Sequence, residues 1–169
     1  MSKVVFKKKL FNSVRSLIQQ AQQHVVRNVN TTMLLTYFEI GKMIVEDELH
    51  GKHRANYSEQ IVRQLSTYLT KEFGKGYSKS NLEYMRQFYK TYQNRIVQSL
   101  IGQSSDIALG QKSRSMKGKS KQSFSLSWTH YVQLLKISNN DERNFYEIEA
   151  VQNNWSVREL IRQYSSAVY

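Results

Sequence analysis

The sequence contains no cysteine and no proline. Without cysteine there is neither a disulfide nor a thiolate metal site, which fits a reducing cytoplasm. Without proline, the strongest interruption of a helix is missing from the whole chain. No run approaches the roughly 18 apolar residues of a transmembrane helix, and the N-terminus lacks an apolar stretch of signal-peptide length. We therefore expect a cytoplasmic protein with no membrane partner.

Residues typical of catalytic and metal sites are also sparse. There is no G-x-x-x-x-G-K-[ST] phosphate loop and no E-x-K or D-x-K triplet of the kind a metal-dependent nuclease uses. His50 and His53 have the spacing of two metal ligands, but they follow an acidic helix end, where histidine also complements the helix dipole. Neighbouring carboxylates on a helix do not converge on one point, so we interpret them as solvated charges. They are Glu147 with Glu149, and Asp141 with Glu142. We expect no catalytic residue, no metal and no cofactor in this chain.

What the chain does have is positive charge, +12 in total. The net charge is +4 over residues 1–9, +5 over 10–100, +4 over 101–124 and −1 over 125–169. Charge placed in the N-terminal tail, the middle and one loop points first to a polyanionic partner. The alternative is that the charge serves only solubility, and charge alone favours neither a polyanionic partner nor solubility.

Apolar residues recur at three- and four-residue spacing, which predicts amphipathic helices. One pattern covers residues 10–29 and resumes over 34–49, with a break or kink predicted at 28–32, where Asn and Thr residues collect. Another predicts a helix over 58–73, ended by Gly74 in the left-handed conformation that a C-cap favours. Three serines, each between apolar staple residues, predict further helix starts. They are Ser78, Ser127 and Ser156, the last with Glu159 as a capping box.

Residues 101–124 lose the apolar periodicity and are rich in Ser, Gly, Gln and Lys, which predicts a flexible basic loop. The loop separates sub-parts 10–100 and 125–169. Because the second is too small to fold alone, we expect it to dock on the first, giving one domain over 1–169. The fold class is all-α, a multi-helix domain, with a short hairpin at 121–126 left open.

The predicted helices 58–73 and 78–92, joined by a short glycine turn, match the outline of a helix-turn-helix, whose second helix enters the major groove of DNA. The second helix carries a basic stripe opposite its apolar side, formed by Lys79, Arg86 and Lys90 with the acidic Glu83 among them, and its N-terminus favours an anion. Candidate DNA-binding residues here are Lys75, Ser78, Lys79, Ser80, Asn81, Arg86, Gln87 and Lys90. In the loop they are Lys112, Arg114, Lys117, Lys119 and Lys121. The alternative is a surface helix whose lysines only keep the protein soluble.

Four segments occur in a recognisable order, and they span roughly residues 15–165. They are YFEIGKMIVEDE, LTKEFGKGYSKSNLEYMRQFY, LSWTHYVQLLKI and NFYEIEAVQNNWSVRELIRQ. Together they resemble the N-terminal domain of the YhcG-type family of bacterial proteins. The resemblance implies a helical, winged-helix-like, DNA-binding domain that precedes a PD-(D/E)XK nuclease domain and is linked to restriction-modification or mobile-element defence. It places the start of that nuclease domain near Tyr169, so no catalytic residue carries over to this chain.

Two functions from different classes follow. The first is non-catalytic binding of double-stranded DNA that targets a nuclease domain. The second is a helical protein–protein interaction or dimerisation module, in which residues 10–49 form a homodimer seam or dock a nuclease or restriction-modification subunit. RNA binding is a third hypothesis with less support, because no RNA-binding signature occurs in the sequence.

Overall fold

The computed structural model describes residues 2–50, 55–107 and 124–166, and side chains within them over 8–49, 57, 59–95 and 124–166. These residues form helices and connecting turns without a β-strand, so the all-α fold class is confirmed. The helices are α1 (Ser2–His50), α2 (Ala55–Phe73), α3 (Lys79–Ile107), α4 (Trp128–Leu134), α5 (Asn140–Gln152) and α6 (Val157–Ser165). Within the described ranges there is accordingly no β wing, and residues 124–126 of the hairpin alternative are not in a strand. No described helix is long and apolar enough to span a membrane.

Helix α1 runs without interruption through residues 28–32, so the break predicted there is wrong. Its polar side chains bond along the helix or to other elements, and these bonds do not interrupt the helical backbone. The Thr36 hydroxyl donates to the Thr32 carbonyl at 2.9 Å, and the Asn28 amide lies 3.2 Å from the His24 ring. The Thr31 hydroxyl donates to the Phe124 carbonyl at 3.3 Å. The residues that predicted a break are thus accommodated inside one helix.

Helix α3 continues to Ile107, well past the predicted end near residue 92. The first part of the predicted basic loop, residues 101–107, is therefore helical, and the boundary at 101 is wrong. Serine and glutamine are tolerated in helices, so their abundance was a poor guide to the helix end. Residues 108–123 of the loop, and 121–123 of the hairpin alternative, lie outside the described residues.

The main core joins residues from both sides of that loop. Aromatic rings surround Phe88, with centroids 4.9 Å away for Phe124, 5.2 Å for Tyr131 and 5.5 Å for Trp128. The buried members are Leu34, Phe38, Phe88, Tyr92, Phe124, Leu126, Tyr131, Leu134, Leu135, Ile137, Tyr146, Ala150 and Leu160. A second cluster under α2 is made of Ile44, Val62, Leu82 and Met85. The C-terminal helices thus dock on α1 and α3 in one shared core.

Two of the three predicted serine caps are formed. Ser78 accepts from the Asn81 amide at 3.3 Å and Ser156 from the Glu159 amide at 3.2 Å. Ser127 precedes α4 but makes no cap bond, because its hydroxyl lies 2.7 Å from Nδ1 of His130. Gly74 has φ +82°, the left-handed conformation expected at the end of α2.

Helices α1 and α3 approach each other closely at Gly41. A Cβ built on Gly41 would clash with the Met85 carbonyl oxygen and would lie 3.1 Å from Cβ of Tyr89. Only glycine lets the α1 backbone reach the α3 backbone at this point. The α1 backbone at Gly41 consequently lies directly against α3.

Replacing Gly41 by alanine is expected to lower the free energy of unfolding by about 1–3 kcal/mol, because the helices must move apart. At a helical glycine without such a close neighbour, substitution by alanine instead raises the free energy of unfolding by about 0.5–1 kcal/mol. Urea unfolding followed by circular dichroism measures the change. Glu39→Ala, exposed on the neighbouring turn, is the matched control and should change stability by less than about 0.5 kcal/mol. A stabilised Gly41→Ala variant would contradict the close packing.

His130 is expected to make stability depend on pH. Nε2 lies 3.0 Å from the Trp155 carbonyl oxygen, which can only accept, so Nε2 carries the proton and Nδ1 accepts from Ser127. Burial lowers the pKa of His130 below the usual 6.5, against a smaller opposite effect of the Trp155 bond. The His130 ring therefore takes up its second proton more readily in the unfolded chain than in the folded one. Its contribution to the free energy of unfolding is fully present above about pH 6.5 and is lost as pH drops through the folded pKa.

Urea titrations at about pH 7.5 and 5.5 bracket this window, since unperturbed histidine titrates near 6.5. The loss of stability between the two pH values should shrink in His130→Gln and persist in His24→Gln, whose ring is exposed on α1. Equal pH dependence in wild type and His130→Gln would refute the role assigned to this ring.

Candidate nucleic-acid interface

The turn between α2 and α3 presents the N-terminus of α3 to solvent. Gly74 and Gly76 both have positive φ, +82° and +124°, and neither has a neighbour within 4 Å of a built Cβ. The turn therefore owes its shape to backbone conformation, and it reverses the chain in five residues, 74–78. Tyr77 is half-buried beside the second cluster, which fixes the turn to the domain. The free backbone N–H groups of the first turn of α3 make this end electropositive.

Three of the candidate residues cluster at this end with exposed side chains: Lys75, Lys79 and Ser80. Lys79 donates to Glu59 of α2 at 2.5 Å, and this bond lowers the pKa of the Glu59 carboxyl. Both partners are well exposed, 46% and 68%, so the pair adds little to stability. Lys75 makes no ion pair with any described residue. Ser78, at the same end, is occupied as the cap of α3.

Asn81 and Gln87, which the sequence suggested as polar readers of DNA, have structural partners. The Asn81 side chain donates to the Gly76 carbonyl and accepts from Nε1 of Trp128 at 2.8 Å. The Gln87 amide donates to the Leu135 carbonyl at 2.9 Å. These bonds tie α3 to α4 and to the turn, so both groups hold the C-terminal helices in place. The partners Trp128 and Leu135 lie 47 and 48 residues away in sequence, and no local pattern could have indicated them.

Two residues of the basic stripe, Arg86 and Lys90, face the acidic end of α1. Arg86 pairs with Glu48 at 2.6 Å and with Glu83 of its own helix at 2.5 Å, while Lys90 lies 3.9 Å from Glu48. The side chains of Arg86 and Glu48 are only 27% and 16% exposed. Arg86 therefore holds α3 against α1, and the stripe is less available to a phosphate than the sequence indicated. Lys90, 52% exposed, remains at the surface.

The loop candidates Lys112, Arg114, Lys117, Lys119 and Lys121 lie outside the described residues, as does His53, while the side chain of His50 is likewise not described. Within the described parts of the chain, no three His, Asp or Glu side chains form a group that could hold a metal ion.

A buried ionic network was missed by the sequence interpretation. Glu147, interpreted as a solvated charge, is only 6% exposed, so that interpretation is wrong. Its carboxylate accepts from Arg95 at 2.7 Å and from the Tyr131 hydroxyl at 2.9 Å. Burial, and then the charge of Glu147, raise the pKa of Tyr131, so the hydroxyl stays protonated and donates. Because the network joins α3, α4 and α5 inside the core, its role is to align helices.

The ion pair between α1 and α3 gives a test with its own control. Arg86→Ala should lower the free energy of unfolding by about 1–2 kcal/mol, because it removes the close ion-pair partner of Glu48, whose side chain is only 16% exposed. Lys90→Ala, which removes the exposed partner of the same carboxylate, should cost less than about 0.5 kcal/mol. Urea unfolding of both variants at one ionic strength decides the matter, and equal losses of stability would mean that Arg86 does not anchor α3.

Comparison with known proteins places the fold in a family. The model for the DUF1016 N-terminal domain matches residues 13–169. The protein named "Putative nuclease YhcG" of Escherichia coli (strain K12) is 36% identical over 168 residues, which cover 95% of this chain and 45% of that protein. The chain thus spans somewhat under half the length of this relative. No solved structure matches the chain. The resemblance to YhcG-type proteins is confirmed, and the chain belongs to the DUF1016 N-terminal domain family.

Proposed function

We propose that this chain is the non-catalytic DNA-targeting domain of a YhcG-type PD-(D/E)XK nuclease protein in the bacterial cytoplasm, where it serves restriction-modification or defence against mobile elements. The observation that carries the proposal is the exposed group Lys75, Lys79 and Ser80 at the N-terminus of α3. Backbone N–H groups and lysines at one helix end form a site that suits a phosphate. In helix-turn-helix proteins this end of the second helix contacts DNA, so the prediction of that motif for α2 and α3 supports the proposal.

The contacts within the domain sharpen which residues would meet DNA. Lys79 can exchange its exposed partner Glu59 for a phosphate at small cost. Arg86, Asn81 and Gln87 already hold the fold together, so their part is to position α3. The net charge of +12 adds attraction that does not depend on sequence. Double-stranded DNA is therefore bound through its backbone at the start of α3, with the loop lysines as added contacts.

The alternative function, a protein–protein interaction or dimerisation module that docks a nuclease or restriction-modification partner, is favoured by a different observation. The N-terminal half of α1 exposes a row of large apolar side chains that no described residue covers. This surface lies on another element from the lysines at α3, so the two functions are compatible in one chain. If duplex DNA does not bind at low salt, the interaction function is the one that remains.

Fluorescence anisotropy with a mixed-sequence duplex, titrated across salt, tests DNA binding. The wild-type log–log slope should be roughly −4 or steeper, and Lys75→Glu/Lys79→Glu should reduce its magnitude by about 0.9 for each phosphate that these lysines no longer neutralise. The matched control is Lys136→Glu/Arg158→Glu, which makes the same charge change at exposed positions of the C-terminal part. Arg86 is left intact, because reversing its charge would disturb the packing of α3 on α1.

The proposal requires that the first double variant weaken binding clearly more than the control. Equal affinities of the two variants would reduce DNA binding to net charge alone. A preference for a single strand over the duplex would contradict the docked-helix geometry.

A further inference from the structure

The N-terminal half of α1 carries the largest row of exposed apolar side chains in the described part of the chain. We call residues 8–29 the arm, and all of its side chains are exposed. Large apolar residues in the arm are between 45% and 67% exposed. They include Leu10, Phe11, Val14, Leu17, Ile18, Val25 and Val29. Scattered apolar residues are normal on a surface, but a contiguous row of this size marks an interaction site.

The row lies on one side of the helix. With about 100° between successive residues, these seven residues and Ala21 fall within an arc of about 120°, and we call these eight residues the seam. Between residues 8 and 29 only Asn28 interrupts that arc. The basic residues Lys8, Lys9, Arg15 and Arg27 all fall outside it, so the seam itself is uncharged.

The domain's own core cannot cover the seam. Further along α1, Leu34, Phe38 and Gly41 face α3 and the main core. On the same wheel, at about 100° per residue, the centre of that face lies roughly half a turn from the centre of the seam. The arm is thus an apolar surface turned away from the rest of the domain, and a second body has to cover it.

An uncovered arm is also a poor helix. It is about 33 Å long at 1.5 Å per residue, and most helical stability in proteins comes from packing an apolar face, which the arm lacks within its own domain. The arm contains Val14, Val25, Val26 and Val29, which are weak helix formers. A continuous α1 therefore implies a partner along the seam.

The seven-residue repeat of the seam favours a second copy of the same chain. Seam positions repeat at seven residues, as in Phe11, Ile18 and Val25 or in Leu10 and Leu17, the repeat by which helices pair with copies of themselves. A helix is about 10–12 Å across, so two arms that each bury the seam, a third of their circumference, remove on the order of 800 Å² from solvent. That is smaller than a standard interface, so we expect a weak dimer that dissociates on dilution.

We propose that the arms of two copies pack seam to seam and make this protein a homodimer. Residues 2–38 contain basic but no acidic residues, so pairing two arms brings like charges together along the edges of an apolar interface. Added salt therefore strengthens the dimer or leaves it unchanged, because it screens this repulsion. An acidic helix from another protein, the competing occupant, would be released by salt.

Sedimentation equilibrium of the whole 169-residue chain over a range of concentrations tests the proposal. The expected result is a monomer–dimer equilibrium that Ile18→Asn weakens about tenfold or more, a change of about 1.4 kcal/mol or more in association free energy. Val26→Asn is the matched control, because Val26 lies on the arm with 58% exposure against 52% for Ile18, but outside the seam. It should leave the dissociation constant unchanged within about twofold, as expected of a surface substitution.

A strictly monomeric wild type, or equal effects of Ile18→Asn and Val26→Asn, would overturn the proposal, as would a dimer that dissociates when salt is raised from about 0.05 to 0.5 M. Both substitutions lie on the exposed arm, so the dilute monomers of the two variants should have the same unfolding midpoint. Equal midpoints show that neither substitution acts by misfolding the domain. Lys75→Glu/Lys79→Glu should dimerise like wild type. Failure of DNA binding and failure of the dimer are thereby separate results.

Discussion

The contact of α1 with α3 at Gly41 determines where most of the other groups lie. Without a Cβ at this position the α1 backbone meets the Met85 carbonyl, and the two helices run closer than side chains would normally permit. Leu34 and Phe38 on one side of the contact then enter the main core, and Ile44 on the other side enters the second cluster under α2. The acidic end of α1 lies beside Arg86, and the half-buried ion pair of Arg86 with Glu48 joins the two helices. The C-terminal helices complete the main core against both α1 and α3, with Tyr131 packed on Phe88.

This packing divides both long helices into parts with different tasks. In α1, the part after about residue 30 is a core helix, while the arm before it is exposed and apolar along one side. In α3, the middle is committed to the core and to ion pairs, which leaves its N-terminus as the basic end that faces solvent. Under the two proposals, a dimer joined through its arms would present two such ends. Two weak phosphate contacts held on one body bind DNA far more tightly than either alone, within the span that the arms allow.

The sequence predicted the local features well and the long-range ones poorly. Helix starts at Ser78 and Ser156 and the end at Gly74 depend on residues three or four apart, and all are as expected. The break at 28–32 and the loop boundary at 101 were wrong because both rested on composition. At 28–32 the helix runs through unfavourable residues because Leu34 and Phe38, which follow, are packed in the core. Composition describes a propensity, which packing overrides.

The candidate site shows the same limit. That Lys75 and Lys79 are exposed followed from their places at a helix start. That Arg86 meets Glu48, or that Glu147 is buried against Arg95, depends on residues 38 and 52 positions apart. The periodicity of the arm was visible, but a pattern of apolar residues is the same whether a helix packs in its own core or against another molecule. Only the structure shows that the arm's apolar side is turned away.

The division of α1 into a core half and an arm is the central claim, and amide hydrogen exchange read by mass spectrometry tests it most directly. In dilute solution, peptides from residues 34–48 should be strongly protected while those from 8–29 exchange quickly, because exposed helices open at little cost. Protection of the arm should rise as protein concentration rises, with residues 34–48 unchanged. Equal, concentration-independent protection along the whole of α1 would contradict the account, since the arm would then be held by its own domain.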